Sequence, residues 1–170
     1  MNADYLIIGA GPAGIFTAIE LLRKGADGEI IIVEKGAAIE NRACPKKKTG
    51  KCVKCKNCAI TTGFSGAGAF SDGKLSLSPD VGGDLPDLIG FEKIKETIDY
   101  ADGIYLEFGA DHKIEGVQHP EKIKEIRKKA IRAGLKLVDC PIRHLGTEKA
   151  QQIYYAIERY LLENGVKMFF

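Results

Sequence analysis

The feature that most constrains this chain is a glycine triplet near its start, GAGPAG over residues 9–14, set between an apolar run and a helical pattern. The apolar run is Tyr5 to Ile8, the helical pattern continues through Leu22, and a second apolar run, Ile30 to Val33, ends at Glu34. That order predicts a strand, a glycine turn, a helix and a second strand. Each glycine has its own physical use: Gly9 for the tight turn, Gly11 for backbone approach to a pyrophosphate, and Gly14 for close packing of helix on strand. The pyrophosphate would lie on the helix N-terminus at Pro12 and Ala13, where free N–H groups and the helix dipole favour an anion. Glu34, followed by Lys35, sits where an acid hydrogen-bonds a ribose hydroxyl, which favours FAD or NAD over NADP.

A lone glycine triplet is a weak signal, but here the strand, helix, small Ala18 and terminal acid all accompany it. The uncharged stretch from Tyr5 to Ile19 also invites reading as a membrane or signal segment. It is shorter than the ~20 residues of a spanning helix, lacks a basic leader and is broken by Gly-Pro, so that reading is set aside.

At 170 residues the chain can bury one real core, which predicts a single domain. A net charge of +2 gives no reason to expect a nucleic-acid or membrane partner. With a strand beginning near residue 4 and no targeting segment before it, the expected location is cytoplasmic.

Residues 41–58, NRACPKKKTGKCVKCKNC, carry no apolar periodicity and read as a loop. Cys44, Cys52, Cys55 and Cys58 are separated by seven, two and two residues, and the stretch 41–58 holds seven Lys or Arg and no acid. Four thiolates suit tetrahedral zinc, and nearby cations favour the thiolate form. The triple cysteine equally fits part of an iron–sulfur ligand run, and a flexible basic loop with free or disulfide-paired thiols is the plain alternative. Cys52 and Cys55 as a redox CxxC pair are a weaker idea.

The stretch from Ala59 to Gly83 is glycine-rich and only briefly apolar. Gly63, Gly66, Ala67 and Gly68 expose backbone that would face a phosphate or a flavin ring, and Ser71, Asp72 and Lys74 supply polar handles. A hairpin with glycine turns is the bland alternative. Beyond Leu88, Phe91, Ile94, Ile98 and Ala101 predict a helix, and GIYLEF at 103–108 a strand. A helix from Pro120 to Gly134 and a strand LKLVD follow, with His112 and His119 as surface residues. Thr147 is the expected N-cap of a helix whose apolar face is Ala150, Ile153, Tyr154, Ile157 and Leu161. VKMFF at the end reads as the start of a strand.

With GAGPAG, VEKG, GAGAFSDGKL, RHLGT and GVKMFF in view, the chain resembles the N-terminal part of an uncharacterised family of FAD-dependent dehydrogenases, loosely described as NAD/FAD-utilising. The resemblance spans essentially the whole chain. It implies a glutathione-reductase-like FAD-binding fold interrupted by a substrate or cap segment. Gly9, Gly11, Gly14 and Glu34 would bind the ADP half, GAGAFSDGKL would approach the isoalloxazine, and Arg143 with its neighbours would face the cofactor. Some members carry the cysteines at this place and others lack them, so the cysteines are not needed for the flavin chemistry. Members continue beyond this point, so the resemblance implies an incomplete domain.

The expected architecture is therefore α/β: a Rossmann-like FAD/NAD(P)-binding βαβ fold, apparently truncated. A dinucleotide core covers 1–36, an inserted Cys/Gly-rich and α/β segment 37–140, and a returning helix and strand 141–170. The expected activity is flavin-dependent hydride transfer from an unidentified small-molecule substrate or electron donor, with FAD as cofactor, zinc as a second candidate and an iron–sulfur cluster behind it. Asp72, Lys74 and His144 are the candidate catalytic groups. The alternative is a non-catalytic nucleotide- or zinc-binding fragment that needs a partner chain, as an oligomer or with a missing C-terminal half.

Overall fold

A computed structural model describes residues 3–170. The protein is mixed α/β, with one three-stranded and one two-stranded sheet among the described residues. It divides into two compact units, one made of residues up to Gly73 together with Gly146–Phe170, the other of Lys74–Leu145. Residues 37–73 cluster with the N-terminal unit, to which they hydrogen-bond through Ala10, Glu34 and Glu158.

In the first unit, strand β1 (Tyr5–Ile8), helix α1 (Pro12–Arg23) and strand β2 (Ile30–Val33) follow the apolar pattern of the sequence. β1 and β2 run parallel, pairing Tyr5 with Ile30 through Ile8 with Val33. A parallel pair needs a crossover, and α1 supplies it. A four-residue helix α2 (Lys46–Thr49) interrupts the basic loop. Helix α6 (Thr147–Glu163) returns the chain to strand β5 (Lys167–Phe169), which pairs parallel with β2 and gives the order β1-β2-β5. The face of α6 read from its spacing, Ala150, Ile153, Tyr154, Ile157 and Leu161, is buried. Burial of these side chains stabilises by about 1.5–3 kcal/mol each for the larger ones.

The opposite face of this sheet is open at the C-terminal end of its strands: Ile8 is 84% exposed, in one row with Val33 and Phe169, and Leu6 is 60% exposed, whereas Ile31, the partner of Leu6 on the central strand, is buried. Parallel sheets are normally covered on both faces, and β1 pairs on one edge alone among the described residues.

In the second unit, β3 (Lys74–Ser76) pairs antiparallel with β4 (Ile142–His144). Between them lie α3 (Leu85–Ile89), α4 (Phe91–Glu107) and α5 (Pro120–Arg132). Three expectations are corrected here. GIYLEF is not a strand: α4 continues through it, because Ile104 and Tyr105 extend the buried face begun at Ile94. LKLVD is not a strand either; Leu135 and Val138 are exposed and find no pairing partner. Thr147 is the first helical residue of α6, and the N-cap is Gly146, whose φ of 73° lies in the left-handed region. The expected helix at 120–134 and the surface positions of His112 and His119 hold. Among the described residues no helix is long and apolar enough to cross a membrane.

Candidate functional site

The first unit brings two glycine-rich loops together at the C-terminal ends of β1 and β2. A Cβ on Gly14 would fall inside contact distance of the Gly9 carbonyl oxygen and 3.1 Å from Ile7 Cγ2, so only glycine lets α1 approach β1 this closely. Gly11, the N-cap of α1, has no such neighbour: a Cβ there would meet open space. No side chain caps the helix and no acid lies in its first turn, so its leading N–H groups form an uncontested partial positive charge. Pro12 and Ala13 are exposed at that end.

The second loop packs on the first. Ser65 N–H donates to Ala10 O at 2.7 Å, Phe64 N–H donates to Ala37 O at 3.0 Å, and a Cβ on Gly66 would lie 3.8 Å from Gly11 Cα and Pro12 Cδ. Gly36 and Gly63 cross so closely that neither accepts a side chain: a Cβ on Gly36 would fall onto Gly63 backbone. Ala67 is exposed, and Gly68 opens a 3-10 turn against Tyr154, whose hydroxyl would sit 2.8 Å from a Cβ there.

Glu34 ties the three strands of backbone at this place. Its Oε2 accepts from Ala10 N–H at 2.8 Å, and its Oε1 from Gly36 N–H at 2.9 Å and Gly63 N–H at 3.0 Å. The carboxylate expected to hold a ribose is thus buried and already accepts three amides, each a charge-assisted bond. Lys35 beside it is exposed.

Arg42, which no sequence pattern marked, completes the assembly. Its guanidinium donates to Ala59 O at 3.0 Å, Phe64 O at 2.6 Å, Ser65 Oγ at 3.2 Å and Ile60 O at 2.9 Å, and lies 4.3 Å from the Phe70 ring centroid. Burial pushes its pKa down, opposed by the charges of Glu34 and Cys58. The basic loop hid it, since a lone arginine among lysines reads as solvated.

Of the remaining candidates, Arg143, Lys74 and His144 belong to the second unit and Asp72 to the first. Arg143 is on β4 in the second unit, with its guanidinium on both Asp102 carboxylate oxygens, Nη2 to Oδ2 at 2.6 Å, and on the carbonyl of Asp111. The Asp102 hydrogen bond raises its pKa against the desolvation that lowers it. Lys74 and His144 are exposed and opposite each other in the β3–β4 register; Asp72 is exposed two residues before Lys74.

The four loop cysteines are free thiols, Cys44 half-buried and the other three exposed. Among the described residues no three His, Cys, Asp or Glu side chains are grouped to hold a metal. The Cys58 thiol is shifted down by the amides of Ile60 and Thr61, then by the Thr61 hydroxyl, with Arg42 adding to them.

No protein-family model matches the chain. A protein of Clostridium beijerinckii, described as uncharacterized, is 39% identical over 77 residues, which are 45% of this chain and 14% of that protein. The matched region is therefore a minor part of the relative's length.

Proposed function

We propose that the first unit binds the ADP half of a flavin dinucleotide, as part of an FAD-dependent oxidoreductase. The observation that carries the reading is the open backbone at Gly11, held beside the uncapped start of α1 by the tight Gly14–Gly9 crossing. A phosphate there would meet the uncapped N–H groups of α1 and, at Gly11, backbone with open space beside it. The ribose side fits less simply, because the Glu34 carboxylate accepts three amides. A ribose hydroxyl would join or replace one of these donors, and Gly63 N–H, on the second loop, is the longest of the three at 3.0 Å. FAD, when bound, supplies hydride acceptance; the residues of this chain bind and orient it.

The visible absorbance of the protein as purified tests this. A two-banded flavin spectrum, lost in Gly11→Asp while the fold persists by circular dichroism, is the expected result. A colourless protein that FAD neither stabilises nor colours on incubation would count against the reading. Zinc at Cys44, Cys52, Cys55 and Cys58 is a separate proposal, supported by the donor set alone; the loop would have to close to gather the sulfurs. Metal analysis of protein purified without chelator checks it, with one equivalent of zinc per chain expected.

A second reading is favoured by the open sheet face: a non-catalytic piece that needs a partner chain. Ile8, Val33 and Phe169 form an exposed apolar row, with Leu6 beside it, of the kind an added layer would bury. Sedimentation separates the two, a flavin-bearing monomer supporting the first and a flavin-free oligomer the second.

A further inference from the structure

Helix α6 carries a row of side chains beside its apolar face: Tyr155, Glu158, Arg159 and Leu162, which helical spacing sets on one side. Together with Glu40 of the 3-10 turn Ile39–Asn41 they line a cavity of about 250 Å³ within the first unit. The most buried of them is a carboxylate. Glu158 is 5% exposed, its Oε2 accepts from Ile39 N–H at 3.0 Å, and among the described residues no donor is paired with its Oε1. No fully buried side-chain oxygen among the described residues is left without a partner, so Oε1 keeps access to the cavity that Glu158 lines.

The charge around Oε1 is negative. Burial raises the Glu158 pKa and Glu40, exposed and paired with no cation among the described residues, adds to the shift. Arg159, the cation on the lining, is held by Glu163 at 2.6 Å and by Tyr155. A carboxylate buried without a counter-charge is costly, and a ligand that brings a cation to it offsets that cost. A divalent metal matches poorly: it takes more oxygens than two carboxylates offer, and no three acids are grouped to hold one among the described residues. A primary ammonium has three donors, enough for Glu158 Oε1 and Glu40. Tyr155 and Leu162, 40% and 49% exposed, offer apolar surface to a tail.

We propose that this cavity binds a small primary ammonium ion with a short aliphatic tail. The site is independent of the dinucleotide reading, and flavin-free protein serves for the test. Butylamine, butan-1-ol and butanoate are titrated separately into the full chain at neutral pH and constant ionic strength, following backbone amide resonances. Butylamine is expected to shift amides of 39–41 and 155–163 saturably, with a dissociation constant of about 1 mM for so small a ligand. Butan-1-ol binds about ten-fold more weakly and butanoate gives no saturable shift, since neither brings a cation to Glu158. Glu158→Gln, which keeps an acceptor for Ile39, brings butylamine to the affinity of butan-1-ol. Glu40→Gln, at an exposed position, weakens butylamine about three-fold. Equal affinity for the amine and the alcohol, shifts lying outside the cavity, no saturable shift, or butylamine binding undiminished in Glu158→Gln would each overturn the proposal. So would tighter saturation of the same amides by calcium chloride, which would assign the site to a metal. Tighter binding of Nα-acetyl-lysine N-methylamide than of butylamine would overturn it in favour of a lysine side chain of another protein.

Discussion

Arg42 and Arg143 are each almost wholly buried, at 5% and 3% exposure, and each ties a loop to the body of its own unit. Their partners differ. Arg143 meets a carboxylate, Asp102, itself only 12% exposed, and adds the Asp111 carbonyl. Arg42 has no hydrogen-bonded acid: it donates to three carbonyls and a hydroxyl and lies against Phe70. The pKa directions follow, raised for Arg143 by the Asp102 hydrogen bond and lowered for Arg42 by burial. A charge-balanced clamp and a charge-unbalanced clamp should fail differently when one side is removed.

The largest effect is expected at the balanced clamp. Arg143→Met leaves Asp102 buried without a counter-charge and should destabilise the second unit by about 3–5 kcal/mol. Arg143→Met with Asp102→Leu should recover most of that. Hydrogen exchange along α4 reports it, and a double variant as unstable as the single would break the comparison. At the unbalanced clamp, Arg42→Met removes the donor from neutral acceptors, and about 2 kcal/mol of the first unit's stability should go. The signature is faster amide exchange at Phe64 and Ser65 with α4 unchanged.

Glu158 sharpens the contrast from the acidic side. It is 5% exposed on α6, and its Oε2 accepts from Ile39 N–H at 3.0 Å. Burial raises its pKa, with Glu40 adding to the shift and the Ile39 amide opposing it. A carboxyl whose folded pKa lies above its unfolded value is most stabilising when protonated. Its contribution falls as pH rises from the ordinary carboxylate range through the raised folded value. Glu158→Gln keeps an acceptor for Ile39 and should raise stability at neutral pH by about 1 kcal/mol, with the gain vanishing in acid. Thermal melts at two pH values measure this, and a pH-independent difference would show that ionisation is not the cause. Smallest of all, Ile8→Lys at an 84% exposed position should change stability by less than about 0.5 kcal/mol. A larger loss would mean that the open face is covered in solution.

Local pattern was enough where neighbours in sequence are neighbours in space. β1, α1 and β2 follow from apolar periodicity, and Gly14 from the close crossing the turn demands. β5 was legible as VKMFF, although its parallel pairing to β2 was not. GIYLEF misled because a short, mostly apolar run is compatible with a buried helix face as well as a strand. LKLVD has strand-like residues, but a strand exists through a partner, and none pairs with it.

The site divides the same way. The sequence by itself determined the glycine loop, the uncapped helix start and the position of Glu34 at the end of β2, because each is set within one βαβ unit. Tertiary structure decided what Glu34 touches, that residues 63–68 lie on the first loop, and that Arg42 holds them there. It also turned Arg143 inward to Asp102, 41 residues away in sequence. Backbone conformation is governed by nearest neighbours, whereas the partners of a long buried side chain are fixed only when distant segments meet.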